Sequence, residues 1–131
     1  MGLVEDKICL DSDFLIDFLR NKKETVEWLK EYEKKVDLAT TIINAFEIYH
    51  GEFKIKNNAV HIDNLLKNLN VLNLSIEIVK KAGEIATNLE KEGNIIEFRD
   101  ILIAATVISN NYSLKTNNKK HFERIKGLRI V

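Results

Sequence analysis

The chain has little with which to brace itself except a hydrophobic core. It carries a single cysteine, Cys9, in 131 residues, so an internal disulfide is excluded and a reducing, cytoplasmic setting is expected. No apolar run approaches the roughly 18 residues of a membrane-spanning helix. The first residues show neither the basic segment nor the apolar stretch of a secretory leader, so no such segment is expected. Proline is absent, a peculiarity of composition from which nothing follows. Excess charge is missing too, since 20 Lys and Arg balance 20 Asp and Glu. What remains is an ordinary globular balance, with 45% hydrophobic and 31% charged residues, which argues against disorder. The length predicts one domain over residues 1–131, large enough to bury a real core.

The neutral total conceals an uneven spread. Residues 115–131 hold Lys115, Lys119, Lys120, Arg124, Lys126 and Arg129 against Glu123 alone, which is +5 and leaves −5 for the rest. A basic end of this kind can grip a polyanion locally. Lys115, Lys119, Lys120 and Arg124 are therefore the candidate contacts to nucleic acid. A Lys-rich solvated surface explains the same run equally simply.

The most informative stretch is 94–108. From Ile101 to Ile108 only Thr106 is polar, so a helix here is apolar almost all round and belongs in a core. Asp100 stands at its entrance. A carboxylate placed there must be hydrogen-bonded, paired or bound to a cation, because desolvating a bare charge is prohibitive.

Read in order, residues 7–10 form a short apolar strand with Cys9 as a small hydrophobe, ending at Asp11. Ser12 has the character of an N-cap, and Phe14, Leu15, Phe18 and Leu19 follow at helical spacing. A second helix spans about 24–35, with Trp28 and Tyr32 four apart on one face. They are candidates for a partner surface or for the core. Residues 37–40 read as a strand, and Thr41 caps the next helix. Ile42, Phe46, Tyr49 and Phe53 predict one face of a helix over 42–56, with Glu47 at its margin. Ile62, Leu65, Leu66 and Leu69 mark another helix, and residues 71–74 a third strand. Ser75 caps a long helix that Gly93 ends. Residues 112–114 form a fourth strand leading to Thr116 and Asn118. A short helix with His121, Phe122 and Ile125 and an edge strand near 128–131 complete the chain. Strands alternating with helices imply an α/β fold, a three-layer α/β/α arrangement around a short-stranded, mainly parallel sheet.

In such sheets ligands bind beyond the carboxyl ends of the strands. Asp11, Glu47 and Asp100 fall at a strand end or near helix starts flanking that edge, and Asn118 adds an amide oxygen there. Oxygen ligands without a Cys or His cluster select Mg²⁺ or Mn²⁺. Such an ion can lower the pKa of a water that then attacks a phosphodiester.

These residues also carry a resemblance. Residues 10–16, Leu-Asp-Ser-Asp-Phe-Leu-Ile, resemble the first signature block of the PIN-domain nucleases, and Glu47 with Gly51 the second. Asp-Ile-Leu-Ile-Ala-Ala at 100–105 and Thr-Asn-Asn-Lys-Lys-His-Phe at 116–122 resemble the third and fourth. The nearest type is the VapC toxin of prokaryotic toxin–antitoxin pairs, and the likeness runs from about Lys7 to Val131. The resemblance implies that Asp11, Glu47 and Asp100 bind metal. Asn118 stands where many members have a fourth Asp, and Ser12 matches a Ser or Thr beside the first acid. Thr116, Asp13 and Glu97 are supporting residues. The resemblance further implies a Mg²⁺- or Mn²⁺-dependent endoribonuclease, a homodimer and a small antitoxin partner. A neutral Asn118 weakens attraction for a second cation. Three other readings stand beside it: an RNA-maturation or decay nuclease of the same fold, an inactive scaffold that only binds, and a phosphorylatable receiver domain. The last needs an acceptor Asp at the end of its third strand, where this chain has Leu74-Ser75.

Overall fold

The computed structural model describes residues 7–56 and 58–131. Four strands pair in the order β3-β2-β1-β4, all parallel. They are β1 (Lys7–Leu10), β2 (Asp37–Thr41), β3 (Asn70–Leu72) and β4 (Ser113–Lys115). Between them run α1 (Ser12–Leu19), α2 (Lys23–Tyr32), α3 (Ile42–Ile55), α4 (Val60–Lys67), α5 (Ile76–Lys91) and α6 (Phe98–Ser109), and α7 (Lys119–Phe122) follows β4. This is the expected three-layer arrangement.

The period-two geometry of a strand divides the core in two. Ile8 and Leu10 of β1 point to one face, where they meet Phe14 and Leu15 of α1, Leu29 of α2, Ile48 of α3 and Ile62 of α4. Cys9 points to the other, among Ile78, Ala82, Ile85 and Leu89 of α5 and Ile101, Ile103, Ala104, Ala105 and Val107 of α6. Burial pushes the Cys9 thiol far up, so it packs as an inert small hydrophobe. Helix α6 is the core helix its composition predicts. Its one polar interior residue, Thr106, is fully buried and donates its hydroxyl to the Leu102 carbonyl at 2.7 Å.

The local signals worked where side chains satisfy helix ends. Thr41 accepts from the Asn44 N–H and Ser75 from the Ile78 N–H, as caps should. Gly93 lies at φ +77° just past α5, a left-handed conformation that favours glycine. Residues 128–131 do not form a strand of their own. They make one parallel bridge, Ile130 to Leu114, at the β4 edge. Further expectations need correction, among them the third strand, which covers Asn70–Leu72 rather than 71–74. Asp11, not Ser12, is the N-cap of α1, and Ser12 is the first helical residue. The stripe Ile42, Phe46 and Phe53 of α3 faces solvent, while Asn44, Ala45 and Ile48 form the buried side. The fourth strand begins at Ser113, one residue after the expected start at Tyr112.

Connectivity places a crevice. From β1 the chain moves outward to β2 and β3, then returns to set β4 on the opposite side of β1. Such a reversal leaves a gap at the carboxyl ends of the strands, the usual place for a ligand. Asp11 follows β1 directly, and its N–H donates to the Lys115 carbonyl at 2.9 Å, tying the two strand ends together.

Candidate active site at the carboxyl edge of the sheet

Asp11 is the anchor of this edge. It is only 7% exposed, and both carboxylate oxygens accept side-chain hydrogen bonds. Asn44 Nδ2 donates to Oδ1 at 3.0 Å and the Thr116 hydroxyl to Oδ2 at 2.7 Å. Burial, the largest effect, and then the nearby Asp13 raise the Asp11 pKa to about 6, against the opposing pull of these bonds. A carboxylate held at that cost gains from a neighbouring cation.

Glu47, half-buried on α3, is brought to Asp11 by a relay. The Ser12 hydroxyl donates to Glu47 Oε1 at 2.6 Å, and Asn44 Nδ2 donates to Ser12 Oγ at 2.8 Å. Glu47 also lines a groove between α1, α3 and α4 that includes Ile16, Leu19, Ile48, Ile55 and Ile62. Asp100 enters from the first turn of α6, and its Oδ2 lies 2.8 Å from His121 Nε2. The Ser12 bond uses one oxygen of Glu47 and the His121 contact one of Asp100, leaving the other oxygen of each acid outside these bonds. In kind, this all-oxygen acid set fits a hard divalent cation. It is not drawn into a preformed cage, because among the described residues no three His, Cys, Asp or Glu side chains converge to hold an ion.

The supporting residues take particular jobs. Asp13 latches the loop after β4 to α1, accepting from the Asn117 N–H at 3.2 Å, while Asn117 Nδ2 donates to Asp17 at 3.0 Å. Thr116 bridges, since its hydroxyl donates to Asp11 and its oxygen accepts the Asn118 N–H at 3.0 Å. Asn118 is exposed at the start of α7 and makes no side-chain cap bond there. Glu97 caps α6, accepting from the Arg99 N–H at 2.9 Å and from its Nε at 3.0 Å. Its charge is thereby committed to Arg99.

The four candidate nucleic-acid contacts separate into two places. Lys115, Lys119 and Lys120 line one shallow depression with Thr116, Asn117 and Asn118, beside the acids. Arg124 lines a different one with Lys81, Glu84, Asn88 and Glu92 of or just beyond α5. Lys115 is partly buried, its ammonium 5.4 Å from the Trp28 ring centre and 5.7 Å from that of Phe14, and burial lowers its pKa. Trp28 and Tyr32 are half-buried rather than free. Trp28 packs edge-on against Phe14 at 5.2 Å and tilted against Tyr32 at 4.5 Å.

Two site residues escape a reading by composition. Asn44 has only its position to give it away, three residues after the Thr41 cap and three before Glu47. His121 lies in a recognisable run, yet nothing in sequence spacing aims it at Asp100.

Comparison with known proteins agrees with this architecture. The PIN domain family model matches residues 8–128. A Ribonuclease VapC1 of Methanocaldococcus jannaschii is 36% identical over 129 residues, covering 96% of this chain and 88% of that protein. A Ribonuclease VapC1 of Rickettsia felis is 31% identical over 134 residues, covering 100% of this chain and 96% of that protein. Among solved structures, VapBC2 of Rickettsia felis bound to a DNA fragment from its promoter matches with a TM-score of 0.88. The identity is 29%, over 95% of this chain and 96% of that one.

Proposed function

This chain belongs to the PIN-domain family, and on that premise we propose that it is a divalent-metal-dependent endoribonuclease, the toxin of a toxin–antitoxin pair. Relatives that match almost end to end are named ribonucleases, and a close structural neighbour is a VapBC complex. The observation that carries the proposal is the relay from buried Asp11 through Asn44 and Ser12 to Glu47, at the sheet edge that Asp100 also borders.

Asp11, Glu47 and Asp100 would hold the cation, Mg²⁺ or Mn²⁺, and Asn118 would offer an amide oxygen from the start of α7. When bound, such a cation would polarise a phosphate oxygen and lower the pKa of a water for in-line attack. The protein does the remaining work. Thr116 and Asn44 fix the plane of the Asp11 carboxylate, and Ser12 aims Glu47. His121 orients Asp100, and Lys119 and Lys120 attract the RNA backbone. The protein works in the cytoplasm as a homodimer, silenced by a small antitoxin, and residues 1–131 act as one domain.

The test is cleavage of a panel of single-stranded RNAs in Mn²⁺ by the wild type and Asp100→Asn. The amide keeps size and hydrogen-bonding atoms but removes the charge that holds a cation, so cleavage should fall by orders of magnitude while circular dichroism stays unchanged. A wild type that cuts nothing, or an Asp100→Asn that cuts equally fast, ends the nuclease reading. One observation favours the rival binding scaffold: the acids are engaged by Ser12 and His121 and do not converge on their own.

A further inference from the structure

Asn44 has the most constrained side chain at this edge. It is fully buried, on the first turn of α3, and every polar atom of its amide is used. Oδ1 accepts from the Thr41 hydroxyl at 2.7 Å and faces the Thr41 N–H at 3.4 Å. A backbone N–H can only donate, so the atom turned toward Thr41 must be the oxygen. The NH₂ group therefore points to the sheet edge, where its two hydrogens reach Asp11 Oδ1 at 3.0 Å and Ser12 Oγ at 2.8 Å.

The direction of the next bond follows. Ser12 Oγ accepts from Asn44, so its single hydrogen is left for Glu47 Oε1, 2.6 Å away. One amide thus sets the carboxylate that ends β1 directly, and the carboxylate of α3 through one hydroxyl. Two acids otherwise linked through the pairing of β1 with β2 and the packing of α1 on α3 share a common rigid reference. That reference is itself fixed by the Thr41 capping box, where α3 leaves β2.

We propose that Asn44 is a positioning residue that holds Asp11 and Glu47 in register for a divalent cation. The proposal rests on the metal-nuclease reading above and assigns the part of this site that determines whether two acids can act together. Partners of metal-ligating side chains typically change metal affinity or activity by about 10–100-fold when removed.

The test is calorimetric titration with Mn²⁺, without RNA, of the wild type, Asn44→Ala, Asn44→Ser, Ser12→Ala and the Asn44→Ala/Ser12→Ala pair. Asn44→Ala and Asn44→Ser both retain the backbone N–H that Thr41 caps, so the start of α3 keeps its main support. Circular dichroism checks the fold. The Mn²⁺ dissociation constant should rise about 10–100-fold in both Asn44 variants. The paired variant should lose less than the product of the single losses, because Asn44 acts on Glu47 through Ser12. The KM for RNA at saturating Mn²⁺ should stay within about twofold of wild type, since Asn44 is buried and touches no substrate. Folded Asn44 variants that bind Mn²⁺ as tightly as wild type would show a purely structural amide and overturn the proposal. A wild type that binds no Mn²⁺ overturns both this proposal and the metal-nuclease reading. A wild type that binds Mn²⁺ but cuts no RNA ends only the nuclease reading, and Asn44 is then judged on the binding constants alone.

Discussion

At the scale of single residues, the raised pKa of Asp11 makes a prediction about stability. The folded value is about 6 against an ordinary 3.8, with burial as the main cause. Between those two pH values the folded chain keeps a proton at Asp11 that the unfolded chain has lost. Its contribution therefore favours folding at low pH, is lost as pH rises from about 4 to 6, and stays lost above. Asp11→Asn carries no charge there; its oxygen can still accept from Asn44, and the Thr116 hydroxyl can turn to accept from its NH₂. Without metal, Asp11→Asn should be more stable than wild type at pH 7.5 by about 1–3 kcal/mol, with the gap closing near pH 4. Urea melts of both proteins in chelator across that range check it. A constant gap, or one that widens in acid, would contradict the burial argument. The place of Asp11 at the carboxyl edge of the sheet was legible in the sequence, because it stands between an apolar strand and a helix start. Asn44 and His121 were not. An amide or an imidazole gains its meaning from what it faces, and facing is settled by tertiary packing.

The elements show where periodicity succeeds and where it misleads. Helix α6 could be read from composition because a segment apolar all round has only the interior to go to. Ile103, at its centre, is fully buried, and Ile95, just before its start, is 85% exposed. Ile103→Ala should lower stability by about 2–5 kcal/mol through lost transfer energy and a residual cavity. Ile95→Ala should change it by no more than about 0.5 kcal/mol. A shift in urea midpoint at constant slope measures both, and equal shifts would refute the burial assignment. Helix α3 is the counter-example. Its apolar stripe of Ile42, Phe46 and Phe53 follows helical spacing yet faces solvent, and the rings pack along the helix instead, Phe46 on His50 and Tyr49 on Phe53. Apolar counting ignores a polar residue satisfied inside. The buried side of α3 includes Asn44, whose amide is satisfied by Thr41, Asp11 and Ser12, so the stripe with the most apolar residues is not the one turned inward. Ser12 misled because it is already helical: Asp11 holds the N-cap position with an extended backbone but makes no side-chain cap bond, its carboxylate being engaged by Asn44 and Thr116.

For the whole molecule, charge is zero in sum but divided by the fold. The chain's basic end follows β4, and β4 lies against β1, so Lys119 and Lys120 are carried to the edge where Asp11 and Asp100 stand. A patch of this kind lets a neutral protein attract a polyanion to its acids without a basic surface everywhere. Arg124, a few residues on, is turned by α7 toward α5, beside Glu84 and Glu92. The distinction can be read in salt dependence. Each phosphate contact to a single strand adds about 0.7 to the slope of log K against log salt. In an Asp100→Asn background, where RNA should bind without being cut, Lys119→Ala or Lys120→Ala should make the slope shallower by about that amount and weaken binding alike across sequences. Arg124→Ala should leave the slope unchanged, although it belongs to the same basic run. Fluorescence anisotropy with a labelled single-stranded RNA at several salt concentrations separates the cases. If Arg124→Ala flattens the slope as much as Lys119→Ala does, the RNA path extends over α7 toward α5. The charge that guides it would then be the whole terminal run rather than the part the sheet brings to the acids.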